Sequence, residues 1–181
     1  MNGKYISAGK EFCTLEKHIN APYFRAAFNV NEALKSAVLT ITGLGIYEAH
    51  INGKNITKGY FAPYRSNPEH IVYFDEYDIL PEINKGKNIL GVILGNGFQN
   101  PFGEYMWDFD KAVWRSAPKL CFEIQLCYKS GRIETVISDE NVKTHPSPIL
   151  FDDWHYGEYY DASLEITDWD MPFFDDGGWA N

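Results

Sequence analysis

LTITGLGIYEAHINGKNITKGYFAP, residues 39–63, decides the fold class of this chain. Leu39 and Ile41, then Tyr47, Ala49 and Ile51, alternate with Thr40, Thr42, Glu48 and His50. A period of two is the mark of a strand with one buried and one wet face. Gly43 and Gly45 interrupt the alternation, as at a bend or bulge between two strand segments. Asn52-Gly53 supplies two residues that tolerate positive φ, the strongest short-range hairpin signal. Ile56 and Tyr60-Phe61 then resume on the return side. A strand, a glycine bend, a second strand and a hairpin point to an antiparallel β fold.

Working outward, residues 1–22 carry no period and read as an irregular lead-in. Residues 23–30 set Phe24, Ala26, Phe28 and Val30 against Tyr23, Arg25 and Asn29, a first strand; 31–35 make a helical turn or a loop. Residues 64–69 are rich in turn formers, 71–79 alternate again, and 80–86 suit a short helical turn. Residues 87–94 are apolar on both faces, as in a central strand covered on both sides, and Gly95-Asn96-Gly97 ends them. The cleanest strand is 119–128: Leu120, Phe122, Ile124, Leu126 and Tyr128 share one side, and Cys121, Glu123, Gln125 and Cys127 the other. A turn at Ser130-Gly131 leads to a strand over 132–137, a short edge strand over 142–144 and a last strand over 158–166. Some eight to ten strands at roughly ten-residue spacing, with almost no helical period, predict an all-β, two-sheet antiparallel sandwich of jelly-roll type. The sandwich domain is expected over 23–166, with 167–181 a tail leading into a further, missing downstream domain.

Composition narrows the function classes. Hydrophobic residues are 45% and aromatics 16% of the 181 residues, enough for a real core without metal or disulfide staples. A formal net charge of −9 argues against nucleic acid and against an anionic membrane surface, and suits a neutral, hydroxyl-rich ligand or a cation. Cys13, Cys121 and Cys127 form no framework and read as thiols in a reducing compartment. With no apolar leader at the N-terminus, a cytoplasmic location is expected, or a secreted one if a signal has been removed.

The five histidines have no zinc spacing, and no GxSxG, P-loop or dinucleotide fingerprint occurs. His50, on the polar side of its strand, reads as a solvated surface residue. Residues 98–117 form one long non-periodic stretch with Phe98, Phe102, Tyr105, Trp107, Phe109 and Trp114. A loop that long inside a domain is functional or disordered, and one so aromatic should pack. In GEYYDA, Glu158 and Asp161 divide between a site role and local structure, and for Asp161 a turn cap or a cross-pair with an arginine is the favoured reading.

The organising stretch resembles the N-terminal β-sandwich domain of bacterial α-L-rhamnosidases, glycoside hydrolase family 78. So do, in order, YFDEYDI at 73–79, GVILGNGF at 91–98, WDFDKAVWR at 107–115, GEYYDASLE at 157–165 and FFDDGGW at 173–179. The resemblance implies the same jelly-roll-like, galactose-binding-like sandwich, within a parent enzyme that removes terminal α-L-rhamnose from glycosides. It places the catalytic carboxylates in a separate helical barrel, so no catalytic residue is assigned here. The chain would then be a non-catalytic accessory domain of that enzyme, with carbohydrate binding as one role. Trp107 or Trp114 would then be the stacking platform, and Asn96, Asn100, Asp108 and Asp110 the polar set. A calcium ion could be held at Asp108 and Asp110. Two alternatives stand beside that: an independent rhamnose-binding module, or a structural domain that packs on the catalytic barrel or mediates dimerisation, with WDFDKAVWR a packing motif.

Overall fold

At Gly45 the chain passes from one sheet to the other. Its φ of 135° is one that L side chains rarely adopt, and a Cβ there would run into the Gly95 carbonyl. The computed structural model describes residues 1–14, 16–101, 108 and 111–181. In chain order its strands are β1 (Pro22–Val30), β2 (Leu34–Leu44), β3 (Ile46–Ile51), β4 (Lys54–Asn55), β5 (Asp75–Asp78) and β6 (Gly86–Gly95). There follow β7 (Lys119–Tyr128), β8 (Ile133–Ile137), β9 (Lys143–Pro146), β10 (Ile149–Asp153) and β11 (Gly157–Tyr160). Short 3₁₀ turns stand at Leu80–Glu82 and Ala162–Leu164. One sheet has the order β5-β2-β7-β8 and the other β4-β3-β6-β1-β9, while β10 and β11 form a separate ribbon. Every pairing is antiparallel.

The two larger sheets face each other across one core. Phe24, Phe28, Tyr47, Ile51, Leu90, Val92 and Leu94 from the five-stranded sheet meet Leu39, Ile41, Leu120, Phe122, Ile124 and Leu126 from the four-stranded one. These are the residues that the period of two assigns to the inner faces. β6 is central, between β3 and β1; its inner face joins the core and its outer face packs under the C-terminal segment, which explains why its sequence is apolar on both faces. At β7 the alternation holds over the whole strand, with Gln125 exposed and Glu123 half-buried opposite the core row. The cysteines are free thiols, as expected.

Three strands are shorter than their alternation predicts, each because a side chain takes over a backbone partner. β5 covers only Asp75–Asp78 of the strand expected over 71–79. Ahead of it the Thr42 hydroxyl donates to the Tyr73 carbonyl at 2.7 Å, and Tyr73 and Phe74 are exposed. The return strand after Asn52-Gly53 stops at Asn55, whose Oδ1 accepts from Thr57 N at 2.8 Å; the Thr57 hydroxyl in turn accepts from Ala49 N at 2.7 Å. Tyr60 and Phe61 are left exposed. The last strand ends at Tyr160 because Asp161 accepts from Ser163 N and caps a 3₁₀ turn, the turn-cap role read from the sequence.

The outer face of the five-stranded sheet is the second organising surface. Tyr23 and Arg25 point outward from β1, yet both are buried, because residues 169–180 fold back over them. Tyr23 stacks on Trp169 at 4.2 Å between ring centroids, and Trp179 packs beside it. Arg25, only 1% exposed, donates to the carbonyls of Trp169 (2.9 Å) and Met171 (2.8 Å) and forms an ion pair with Asp176. The expected tail is therefore part of the packed structure.

Candidate functional site, an aromatic and acidic groove

Register sets out the outer face row by row. His50 on β3 lies opposite Gly91 on β6, which lies opposite Arg25 on β1. Glu48, Ile93 and Tyr23 form the next row, and Ile46 and Gly95 the one beyond. The first row is closed. A Cβ on Gly91 would sit 2.8 Å from both Asp170 Cβ and the Trp169 ring, so glycine is what lets the C-terminal segment lie flat on the sheet. Beyond Glu48 the face opens into a cavity of about 520 Å³ between the sheet and the β10-β11 ribbon.

The groove has an aromatic wall and an acidic floor. Trp154, in the turn of the ribbon, is 43% exposed. Its ring meets Phe61 edge-on at 4.9 Å and Phe98 at 4.6 Å, and the Arg65 guanidinium lies 3.6 Å over Phe98. Tyr60 extends the wall into solvent. Glu48, Asp152, Asp153 and Glu158 supply the carboxylates. Three of them are engaged. Asp152 accepts from Asn96 N (2.6 Å), Asn96 Nδ2 (2.8 Å) and Gly97 N (3.2 Å). Asp153 accepts from the His155 and Tyr156 backbone N–H groups and shapes the turn that carries Trp154. Glu48 accepts from His50 Nε2 at 2.8 Å. Among the described residues, the Glu158 side chain makes no hydrogen bond or ion pair.

The charge balance follows from these contacts. Burial raises the Asp152 pKa, against the three donors that oppose it. Glu158 is also raised, first by burial and then by the charges of Asp152 and Glu48. Burial alone would lower the pKa of His50, but hydrogen bonds to Asp170 (2.7 Å) and Glu48, with their charges, push it up to about 9. His50 is therefore an imidazolium tied to two carboxylates, and not the solvated surface residue that its strand position suggested.

The sequence-predicted site residues divide. Asn96 and Asn100 are 1% and 0% exposed, with their side chains turned into the protein. Asn96 Nδ2 also donates to the Ile19 carbonyl, and Asn100 Oδ1 accepts from Cys13 N. The Asn100 amide donates to Asn96 Oδ1 at 3.0 Å. Together they pin the lead-in and the ribbon to the end of β6, so Asn96 acts on the groove through Asp152. Asp108 is exposed and paired with Lys111 at 2.9 Å. Trp114 is half-buried, its carbonyl accepting from Gln99 Nε2. Trp107 and Asp110 lie outside the described residues. Among the described residues no group of three or more His, Cys, Asp or Glu is arranged to hold a metal ion. Sequence reasoning had weighed Glu158, but it missed Trp154, Phe61 and Glu48. These lie far apart in the chain, and only the fold of the ribbon onto β3 brings them together.

Comparison with known proteins places this geometry. Residues 32–181 match the family described as the alpha-L-rhamnosidase N-terminal domain. An α-L-rhamnosidase of Formosa agariphila is 36% identical over 162 residues, covering 88% of this chain and 17% of the relative. The α-L-rhamnosidase structure from Dictyoglumus thermophilum superposes with a TM-score of 0.84 at 32% identity, over 99% of this chain and 20% of that one. The Streptomyces avermitilis enzyme, solved in complex with L-rhamnose, gives 0.76 at 28% identity, over 89% of this chain and 16% of that one. The chain thus spans about a fifth or less of the length of these relatives. With the sandwich, its C-terminal cover and the matched residues in agreement, this chain belongs to the α-L-rhamnosidase N-terminal domain family.

Proposed function

We propose that this chain is a non-catalytic accessory domain of an α-L-rhamnosidase and that its groove binds the sugar of a rhamnose-containing glycoside. The observation that carries this reading is the partly exposed Trp154–Phe61 wall sharing one groove with the unengaged Glu158. A pyranose offers an apolar C–H face to the wall and hydroxyl donors to the carboxylate, the pairing that small-ligand sites use. Glycoside hydrolysis needs two carboxylates available to the scissile bond. Here Asp152 and Asp153 are consumed by backbone donors and Glu48 by His50, which leaves Glu158 without a working partner. That supports binding without turnover.

L-rhamnose titrated against the isolated domain should quench or shift tryptophan fluorescence with a millimolar Kd, about −4 kcal/mol. Each hydroxyl bond nets only about 0.5–1.5 kcal/mol after water is displaced. Calcium and chelator arms test the ion that the family resemblance implies. An aryl α-L-rhamnoside should release no phenol above background. A flat titration to high millimolar, with or without calcium, would sink the sugar-binding reading and leave the domain as a packing element.

A further inference from the structure

Resting on the reading of the groove as a sugar site, we propose that the groove is charge-selective, taking neutral glycosides and rejecting those whose sugar carries a carboxylate. Among the described residues, the cavity lining includes Glu48, Asp152, Asp153 and Glu158 and no Lys, Arg or His. The basic side chains around it are already committed, His155 among them at 4.0 Å from Asp153. His50 is held between Glu48 and Asp170, and the Arg65 guanidinium lies over the face of Phe98, behind Trp154. Asp152 and Asp153 have their donors from the protein, so the carboxylate left to greet a ligand is Glu158. A primary hydroxyl at the end of a hexose can donate to Glu158. A carboxylate at the same carbon loses that donor, finds no cation to receive it, and adds a like charge in a partly desolvated space. The protein's own acid already feels this field, for the pKa of Glu158 is raised by burial and by its acidic neighbours.

The test uses two rhamnosyl disaccharides that differ at one carbon, a rhamnosyl-hexose and the matching rhamnosyl-hexuronate, titrated calorimetrically at neutral pH and low salt. The neutral ligand should bind at least about tenfold more tightly. The ratio should narrow at about 0.5 M salt, where the Debye length falls to roughly 4 Å. In Glu158→Lys the preference should invert, with circular dichroism checking that the variant is folded. If that variant does not fold, the salt dependence of the wild-type ratio carries the test. Equal affinity for the two ligands, or a ratio indifferent to salt, overturns charge selection while leaving the sugar site standing. Failure of both ligands to bind removes the sugar site and this inference together.

Discussion

The outer face of the five-stranded sheet holds two regions of similar composition and opposite design. Where residues 169–180 cover β1 and β6, indole rings, carboxylates and a guanidinium are packed until every charge has a partner. One row further along β3, indole, phenyl and carboxylate groups line an open groove and Glu158 is left unengaged. The same residue types make a clamp in one place and a candidate ligand surface in the other. Burial separates them: Trp169 and Trp179 are each 8% exposed, against 43% for Trp154. His50 joins the regions, with Asp170 of the clamp on one nitrogen and Glu48 of the groove on the other.

Breaking the clamp should cost the most. Arg25→Met strands Asp176 and leaves several carbonyls without their donor, and should lower unfolding free energy by about 3–5 kcal/mol in urea titrations. Gly91→Ala should cost about 1–3 kcal/mol, because the new methyl must lift Trp169 and Asp170 off the sheet. Loss of amide protection confined to residues 169–180 would be its signature in hydrogen exchange.

The joint should show itself through pH. The His50 pKa is raised in the folded state, so its stabilisation is complete below the unfolded value of 6.5 and fades as pH climbs through about 9. The melting-temperature gap between wild type and His50→Gln should therefore close between pH 7 and 10. The underlying change is roughly 1–2 kcal/mol, discounted because Glu48 is half-exposed and screened. A gap that widens with pH would refute the carboxylate-tied imidazolium. Trp154→Ala should be mildest for stability, about 1 kcal/mol, since its ring is already partly in water. It should nonetheless abolish the fluorescence response to rhamnose. A stability loss as large as that of Arg25→Met would make the groove wall a second clamp.

Residues that declare themselves locally were legible in the sequence. β7 could be read from its period of two, β6 from an apolar run, the β3-β4 turn from Asn52-Gly53, and a break between two strand segments from Gly43 and Gly45, though not that the chain changes sheet there. A turn cap was one of the two local roles open to Asp161, although the expected strand ran past it to 166. What escaped was non-local. Arg25 and His50 occupy the polar phase of good alternating strands, and nothing within ten residues announces that residues 169–180 will cover them. Trp154 sits in DDWHYG, a stretch without period, and meets Phe61 only because the ribbon folds back across the sheet. The GNG turn ends β6, as read, and its two glycines line the groove. Its asparagine nevertheless faces inward, because Asp152 and the Ile19 carbonyl compete for its donors more effectively than solvent does.

Arg25 also imposes a waiting time. Its partners lie between 144 and 151 residues further along the chain. At a synthesis rate of about 5–20 residues per second they follow it out of the ribosome by roughly 7–30 s. Until then Arg25 lacks the carbonyls and the carboxylate that hold it in the finished fold. The outer layer can close only after residue 176 has been made and has emerged, so the clamp is among the last parts of this fold to form.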